Sequence, residues 1–247
     1  MADRRALTPN MLRITLTGEA LADFPQDSVG GYVKLVLPTG DEDVAGSEIE
    51  QLDLRSFVRR SFTVRSFDAA ARALVMDVVV PGHPGPASAW AAAAQVGDAV
   101  LVHGPGPVKG LDHGADAMFL AADMAALPAL AVQLERLPAD ARGVAVIEVL
   151  SDADRQPLQA PPGVDVHWVV SPDVRASRLA EEVRGRAWPQ GRVSTWAACE
   201  FASMKQLRAY FYQERGVARE DSYLSSYWKL DASDEQHKAA KRAELEG

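Results

Sequence analysis

"DAMFLAADMAALPALAVQLERLPADARGVAVIEVL", residues 116–150, changes its period twice. "DAMFLAA" (116–122) is a short apolar run, the pattern of a buried strand. "AALPALAVQLERLP" (125–138) spaces its apolar residues as a helix does, and "GVAVIEVL" (143–150) returns to a β-branched run. Strand, helix, strand in this order predicts a parallel sheet with helices on its faces. The alternation continues through strands at "VDVHWVV" (164–170) and "GRVSTWAAC" (191–199) and helices near 176–186 and 201–215. Ligands of such sheets sit beyond the carboxyl ends of the strands. Those ends read "AADMA" (121–125) and "AACEF" (197–201).

Before Gly110 the pattern is different. "MLRITLTG" (11–18), "GYVKLVLP" (31–38), "RRSFTVRSF" (59–67), "ALVMDVVV" (73–80) and "DAVLVHGP" (98–105) are short runs bounded by Gly, Pro or Asp. They predict an antiparallel β-barrel, which removes exposed edges. "PASAWAAAAQVG" (86–97) reads as a short helix, and the acidic "TGDEDVAGSEIEQLDL" (39–54) as a mobile loop. The expected fold is therefore β + α/β: a barrel over 1–110, then a parallel-sheet nucleotide-binding domain over 111–247 with a C-terminal helix.

The 247 residues carry a net charge of −8, which argues against a nucleic-acid partner. A lone cysteine, Cys199, excludes an internal disulfide framework and an all-cysteine metal site, and no histidine–carboxylate cluster stands at metal-ligand spacing. The first residues lack a basic segment followed by an apolar run, and no stretch approaches the roughly 18 apolar residues of a membrane span. The expectation is a soluble, cytoplasmic protein.

In "VRRSFTVRSFD" (58–68), alternation puts Val58, Arg60, Phe62 and Val64 on one face and Arg59, Ser61, Thr63 and Arg65 on the other. An arginine among apolar residues needs an anionic partner, and its planar fork suits a diphosphate. Phe62 offers a face to a flat ring, and Thr63 a hydroxyl and an N–H. A barrel strand with snorkelling arginines is the plainer alternative. In "VVVPGHPGPASAWAAAA" (78–94) the backbone bends and enters a helix, with Ser88 as N-cap and first-turn N–H groups free to seat a phosphate. "HGPGPVKG" (103–110) fits neither glycine-rich phosphate signature, because Lys109 and Gly110 fall at the wrong spacing; it reads as the turn between domains.

Taken together, Arg60-Ser61-Phe62-Thr63, "GPASAWA" (85–91), "GDAVLVHGPG" (97–106), "AADMAALPAL" (121–130), "WAACEFASMKQLR" (196–208) and "SSYWKLDASDEQHK" (225–238) resemble the siderophore-interacting protein family of flavin-dependent ferric-siderophore reductases. The resemblance covers nearly the whole chain and implies the ferredoxin–NADP reductase fold. It also implies FAD held by Arg60, Ser61, Phe62 and Thr63, passed by the stretch Asp77, Val79 and His83, and seated at its phosphates by Pro86, Ala87 and Ser88. Asp123, Met124 and Ala125 would border NADPH, with NADH possible, and Cys199 and Glu200 would lie near it. Lys229, with Arg55 and Lys109 on a basic rim, would meet the anionic ferric siderophore or other ferric chelate. No residue pattern identifies a 2′-phosphate site, for which Arg175, Arg178 and Lys205 are the basic candidates, and a small buried thiol is the alternative for Cys199.

The chain departs from the family pattern at three places. Phe62 stands where many relatives have tyrosine, Met124 and Ala125 replace a carboxylate and a hydroxyl, and His83 lies two residues past the flavin-loop histidine. Two rival functions share the fold: a general NAD(P)H:flavin or ferredoxin-type reductase, and a non-catalytic siderophore carrier. Ferric-chelate reduction set against dye reduction separates the first, and a colourless purified protein would favour the second.

Overall fold

A computed structural model describes residues 1–38, 57–80 and 85–246. Arg55, His83 and the acidic stretch 39–54 lie outside the described residues. The chain divides into two compact units, Met1–Val108 and Lys109–Gly247.

In the first unit, β1 (Asp3–Thr8), β2 (Met11–Thr17), β6 (Ala73–Val79) and β5 (Ser66–Asp68) form one antiparallel sheet in that order. β4 (Phe57–Thr63), β3 (Tyr32–Pro38) and β7 (Leu101–Gly106) form a second. Strand alternation sends Ile14, Leu16, Leu74, Met76 and Val78 from one sheet and Val33, Leu35 and Leu37 from the other into a shared core. Each such side chain, fully buried, contributes about 1.5–3 kcal/mol. Helix α1 (Pro86–Ala93) closes this core with Ala87 and Ala91.

The run 59–67 was expected to be one strand and is two. The chain turns at Val64, which is bonded through Val64 N to Gly31 O and through its own carbonyl to Gly30 N, and it then enters the other sheet with Arg65 N on Val75 O. One continuous apolar–polar alternation thus serves two sheets, and the corner lets a single segment join them. β1 also escaped the sequence reading, because its "DRRALT" is polar and mostly exposed.

The second unit holds a five-stranded parallel sheet in the order β10 (Gly163–Val170), β9 (Arg142–Val149), β8 (Ala117–Ala122), β11 (Val193–Glu200) and β12 (Ser222–Trp228). All six residues of β8 and all eight of β11 are buried, as expected for strands covered on both faces. Helix α2 (Leu127–Arg136) follows β8. Helices α3 (Leu179–Arg184) and α4 (Phe201–Ala209) pack together on the face carrying Phe119, Ala121, Ala197 and Cys199. The helix expected over 201–215 ends earlier: α4 gives way at Tyr210 to a π-helical turn, Tyr210–Glu214. Helix α5 (Asp234–Glu246) follows β12. Among the described residues no helix is long and apolar enough to cross a membrane.

Candidate functional site

The pairing of β4 with β3 puts Val58, Arg60 and Phe62 opposite Leu37, Leu35 and Val33, so Arg60 shares a face with core residues. Val58 and Phe62 pack against that core, and Arg60 is half-buried beside them. Among the described residues Arg60 has no carboxylate partner; its guanidinium donates to the Arg59 carbonyl at 3.1 Å. Thr63 is buried, while Ser61 and Arg59 are exposed on the other face.

The neighbouring sheet handles its charges differently. Arg13 and Asp77 pair across β2 and β6 by two bonds, Nε to Oδ1 at 2.7 Å and a terminal nitrogen to Oδ2 at 2.8 Å. Arg65 Nε lies 4.0 Å from the same carboxylate, so Arg65 belongs to the same ion-pair cluster. Asp77, placed by the family resemblance along the flavin, therefore has its carboxylate taken by Arg13; Val79, two residues on, is half-buried.

At α1 the N-cap is Gly85, not Ser88. Pro86 occupies the first turn, where its missing N–H costs nothing, and the Ser88 hydroxyl donates back to the Gly85 carbonyl at 3.0 Å. Ala87 and Ser88 are buried and Pro86 is exposed. The first-turn N–H groups lack intrahelical acceptors, as at any helix start. At the other end, Arg4 donates to the carbonyls of Ala91 and Ala92 at 2.9 and 2.7 Å, tying the helix C-terminus to β1. A half-buried arginine that meets no anion among the described residues, an aromatic ring and the first-turn N–H groups of α1 form a donor set suited to a flavin dinucleotide.

In the second unit the carboxyl ends of the strands carry three buried acids. Asp123, just past β8, accepts from Ala125 N (3.0 Å) and Ala126 N (3.2 Å) through Oδ1. Its Oδ2 accepts from Glu200 N (2.8 Å) and Trp228 Nε1 (2.7 Å). Burial pushes this carboxyl up to about 6, against the pull of those donors toward the charged form. Glu200 caps α4, accepting from Ala202 N and Ser203 N through Oε2 and from Leu230 N at 3.1 Å through Oε1. Glu148, at the end of β9, was missed in the sequence. It accepts from the Ser171 and Ser177 hydroxyls and from Arg178 N. An acid closing the apolar run "GVAVIEVL" was the available signal.

Met124 is buried, whereas Ala125 is exposed beside it. Cys199 is fully buried, and burial together with Asp123 and Glu200 holds its thiol well above the usual range, which leaves it unreactive. Lys229 follows β12 with its Nζ 5.0 Å from the Phe201 ring centroid. Lys109 is exposed, and its carbonyl accepts from Gln133 Nε2 at 3.2 Å. Of the three phosphate candidates, Arg175 is committed to Asp231 by two bonds of 2.8 Å and Arg178 pairs with Glu182 at 2.6 Å; Lys205 is exposed. Among the described residues no group of three or more His, Cys, Asp or Glu is placed to hold a metal.

Strand β12 was also missed, because "SYLSSYW" is too polar to read as a sheet strand. It is an edge strand held by α5. His237 Nε2 lies 2.8 Å from Ser226 Oγ, Lys241 Nζ donates to Ser225 Oγ at 2.7 Å, and Arg208 of α4 meets Glu244 at 2.6 Å.

The comparisons with known proteins agree across both units. A family model for the siderophore-interacting FAD-binding domain matches residues 1–109, and one for siderophore-interacting protein matches 115–231. Ferric vibriobactin reductase ViuB of Vibrio cholerae is 31% identical over 242 residues, covering 95% of this chain and 89% of that protein. The crystal structure of the siderophore-interacting protein SipS from Aeromonas hydrophila superposes with a TM-score of 0.86 at 29% identity, covering 100% of this chain and 96% of that one. A ferredoxin–NADP+ reductase from Plasmodium falciparum, at 10% identity and a TM-score of 0.63 over 92% of this chain and 94% of that one, shares the fold. With two consecutive family models and relatives of nearly equal length on record, the chain belongs to the siderophore-interacting protein family and has its FAD-binding, ferredoxin–NADP reductase-like fold.

Proposed function

We propose that this protein is a ferric-siderophore reductase that passes electrons from NADPH through FAD to an Fe(III)-chelate, releasing Fe(II). The observation that carries the reading is Arg60, a half-buried guanidinium on a core face with no protein carboxylate among the described residues. Its family supplies FAD as the anionic partner, and the ferric reductase ViuB is a relative of nearly full length. Flavin accepts a hydride's two electrons and releases them singly, which matches a nicotinamide donor to Fe(III).

In this reading Arg60 receives the diphosphate, Phe62 packs beside the ring, Thr63 offers a hydrogen bond, and the α1 start takes phosphate oxygens with Ala87 and Ser88. Arg4 steadies that helix from its far end. The two proposed domains, 1–110 for FAD and 111–247 for nucleotide, divide the labour. Met124 and Ala125 border the nicotinamide nucleotide, and Lys229 with Lys109 attracts the anionic chelate. Hard oxygen donors bind Fe(III) more tightly than Fe(II), so reduction itself releases the metal and no protein iron ligand is needed.

The test is steady-state turnover with NADPH and a ferrous-specific trap. Fe(II) formed from a ferric tris-catecholate, at a rate well above that with free flavin or a dye, is the expected result. Brisk dye reduction with no Fe(II) would assign the chain to the general reductases instead.

A further inference from the structure

We infer that Asp123, Glu200 and Trp228 are positioning residues that hold Lys229 for the chelate, rather than contacts to the nicotinamide nucleotide. The inference rests on the reading of Lys229 given above and departs from the nucleotide role that the family resemblance gives the two acids.

A carboxylate has about four lone-pair sites. Asp123 fills them with four N–H donors, from Ala125, Ala126, Glu200 and Trp228. Glu200 takes three, from Ala202, Ser203 and Leu230. Both side chains are buried, at 7% and 9% residue exposure; Asp123 has no lone pair to spare for a ribose hydroxyl, and both oxygens of Glu200 are already engaged.

Their outward bonds converge on one short segment. Trp228 is bonded to Asp123 and Leu230 to Glu200, and the Glu200 N–H on Asp123 joins the two acids. The residues flanking Lys229 on both sides are thereby tied to the ends of β8 and β11. Beyond them, Asp231 sits in the left-handed region at φ 53° and is pinned by Arg175. Upstream, Ser225 and Ser226 are held by Lys241 and His237. Inside this braced segment Lys229 has no carboxylate partner among the described residues; its ammonium rests over the Phe201 ring. A fixed backbone with an uncommitted cation is the arrangement expected of a preorganised anion-binding residue.

The test is Trp228→Phe, which keeps a ring and removes the N–H. With NADPH and the iron(III) complex of 2,3-dihydroxybenzoate, KM for the chelate should rise about fivefold. The KM for NADPH, and reduction of a neutral quinone, should stay within about twofold of wild type. A raised NADPH KM with an unchanged chelate KM would overturn the assignment, and so would no change in either or an equal rise in both. Amide exchange at Leu230 in the wild-type protein gives a second measurement that does not depend on the variant folding or on turnover. The redox-inert gallium(III) complex of the same catecholate should slow that exchange, and NADP+ should leave it unchanged; the reverse pattern would overturn the inference. Failure of the wild type to form Fe(II) would instead defeat the reductase reading.

Discussion

Strand β4 of the first unit and the carboxyl ends of β8 and β11 in the second both place charged groups where a ligand is expected, and they treat them oppositely. On β4, Arg60 stands half-buried and, among the described residues, bonds a neighbouring carbonyl and meets no carboxylate. At the other site, Asp123 is saturated by four of the protein's own N–H groups and Glu200 has both oxygens engaged by three. A cation on a core face that meets no anion among the described residues points to a ligand, whereas a fully spent anion points inward to what it holds in place. Residue type alone does not separate the two; the count of hydrogen-bond partners does.

That contrast sets an order of expected effects. Asp123→Ala should be the most damaging, because it strands buried donors on Glu200 and Trp228 as well as in its own turn. Unfolding by urea should show a loss of at least about 3 kcal/mol. A loss below about 1 kcal/mol would mean the acid is not the brace described here.

The pH dependence sharpens the same point. Burial raises the Asp123 carboxyl to about 6 from the ordinary 3.8. Between those values the unfolded chain is ionised there while the native protein retains the proton, so the native state binds more protons. The contribution of this group is fully present below about pH 4 and is lost as pH rises toward about 6, on the order of 3 kcal/mol. In Asp123→Asn the unfolding free energy should vary less across that window; an unaltered slope would show that another group is responsible.

Arg60→Ala should act the other way, with little effect on the thermal midpoint of the apoprotein but a flavin affinity weaker by about tenfold to a hundredfold, the worth of a charge-assisted hydrogen bond. Flavin titration of the apoprotein measures this directly, and full retention of affinity would remove the diphosphate role. The smallest effect belongs to Arg175→Ala. Its pair with Asp231 is exposed on both sides, at 60% and 65%, so chemical denaturation should barely register its loss.

The architecture was largely legible because its signals are local. Apolar runs at "DAMFLAA" and "GVAVIEVL" and the helical spacing between them required the parallel sheet, and β8, α2 and β9 formed there. What stayed hidden was held by tertiary partners. β12 and β1 are polar edge strands whose pairing is decided by β11 and β2. The Val64 corner is invisible to an alternation that runs straight through it. In the site, Arg60 was legible as an apolar-face arginine, but the contact of Arg65 with Asp77 was not, because the pairing of β5 with β6 brings them together. The saturation of Asp123 draws on donors 77 and 105 residues away, a relation that sequence order does not record.

The most direct test of the account is the visible spectrum of the purified protein through one anaerobic sequence: as isolated, after NADPH, and after a ferric siderophore with a ferrous trap. The account predicts flavin bands that bleach with NADPH and return as Fe(II) appears. A protein that takes up no flavin on reconstitution, or a bleached flavin that leaves the chelate ferric, would contradict it.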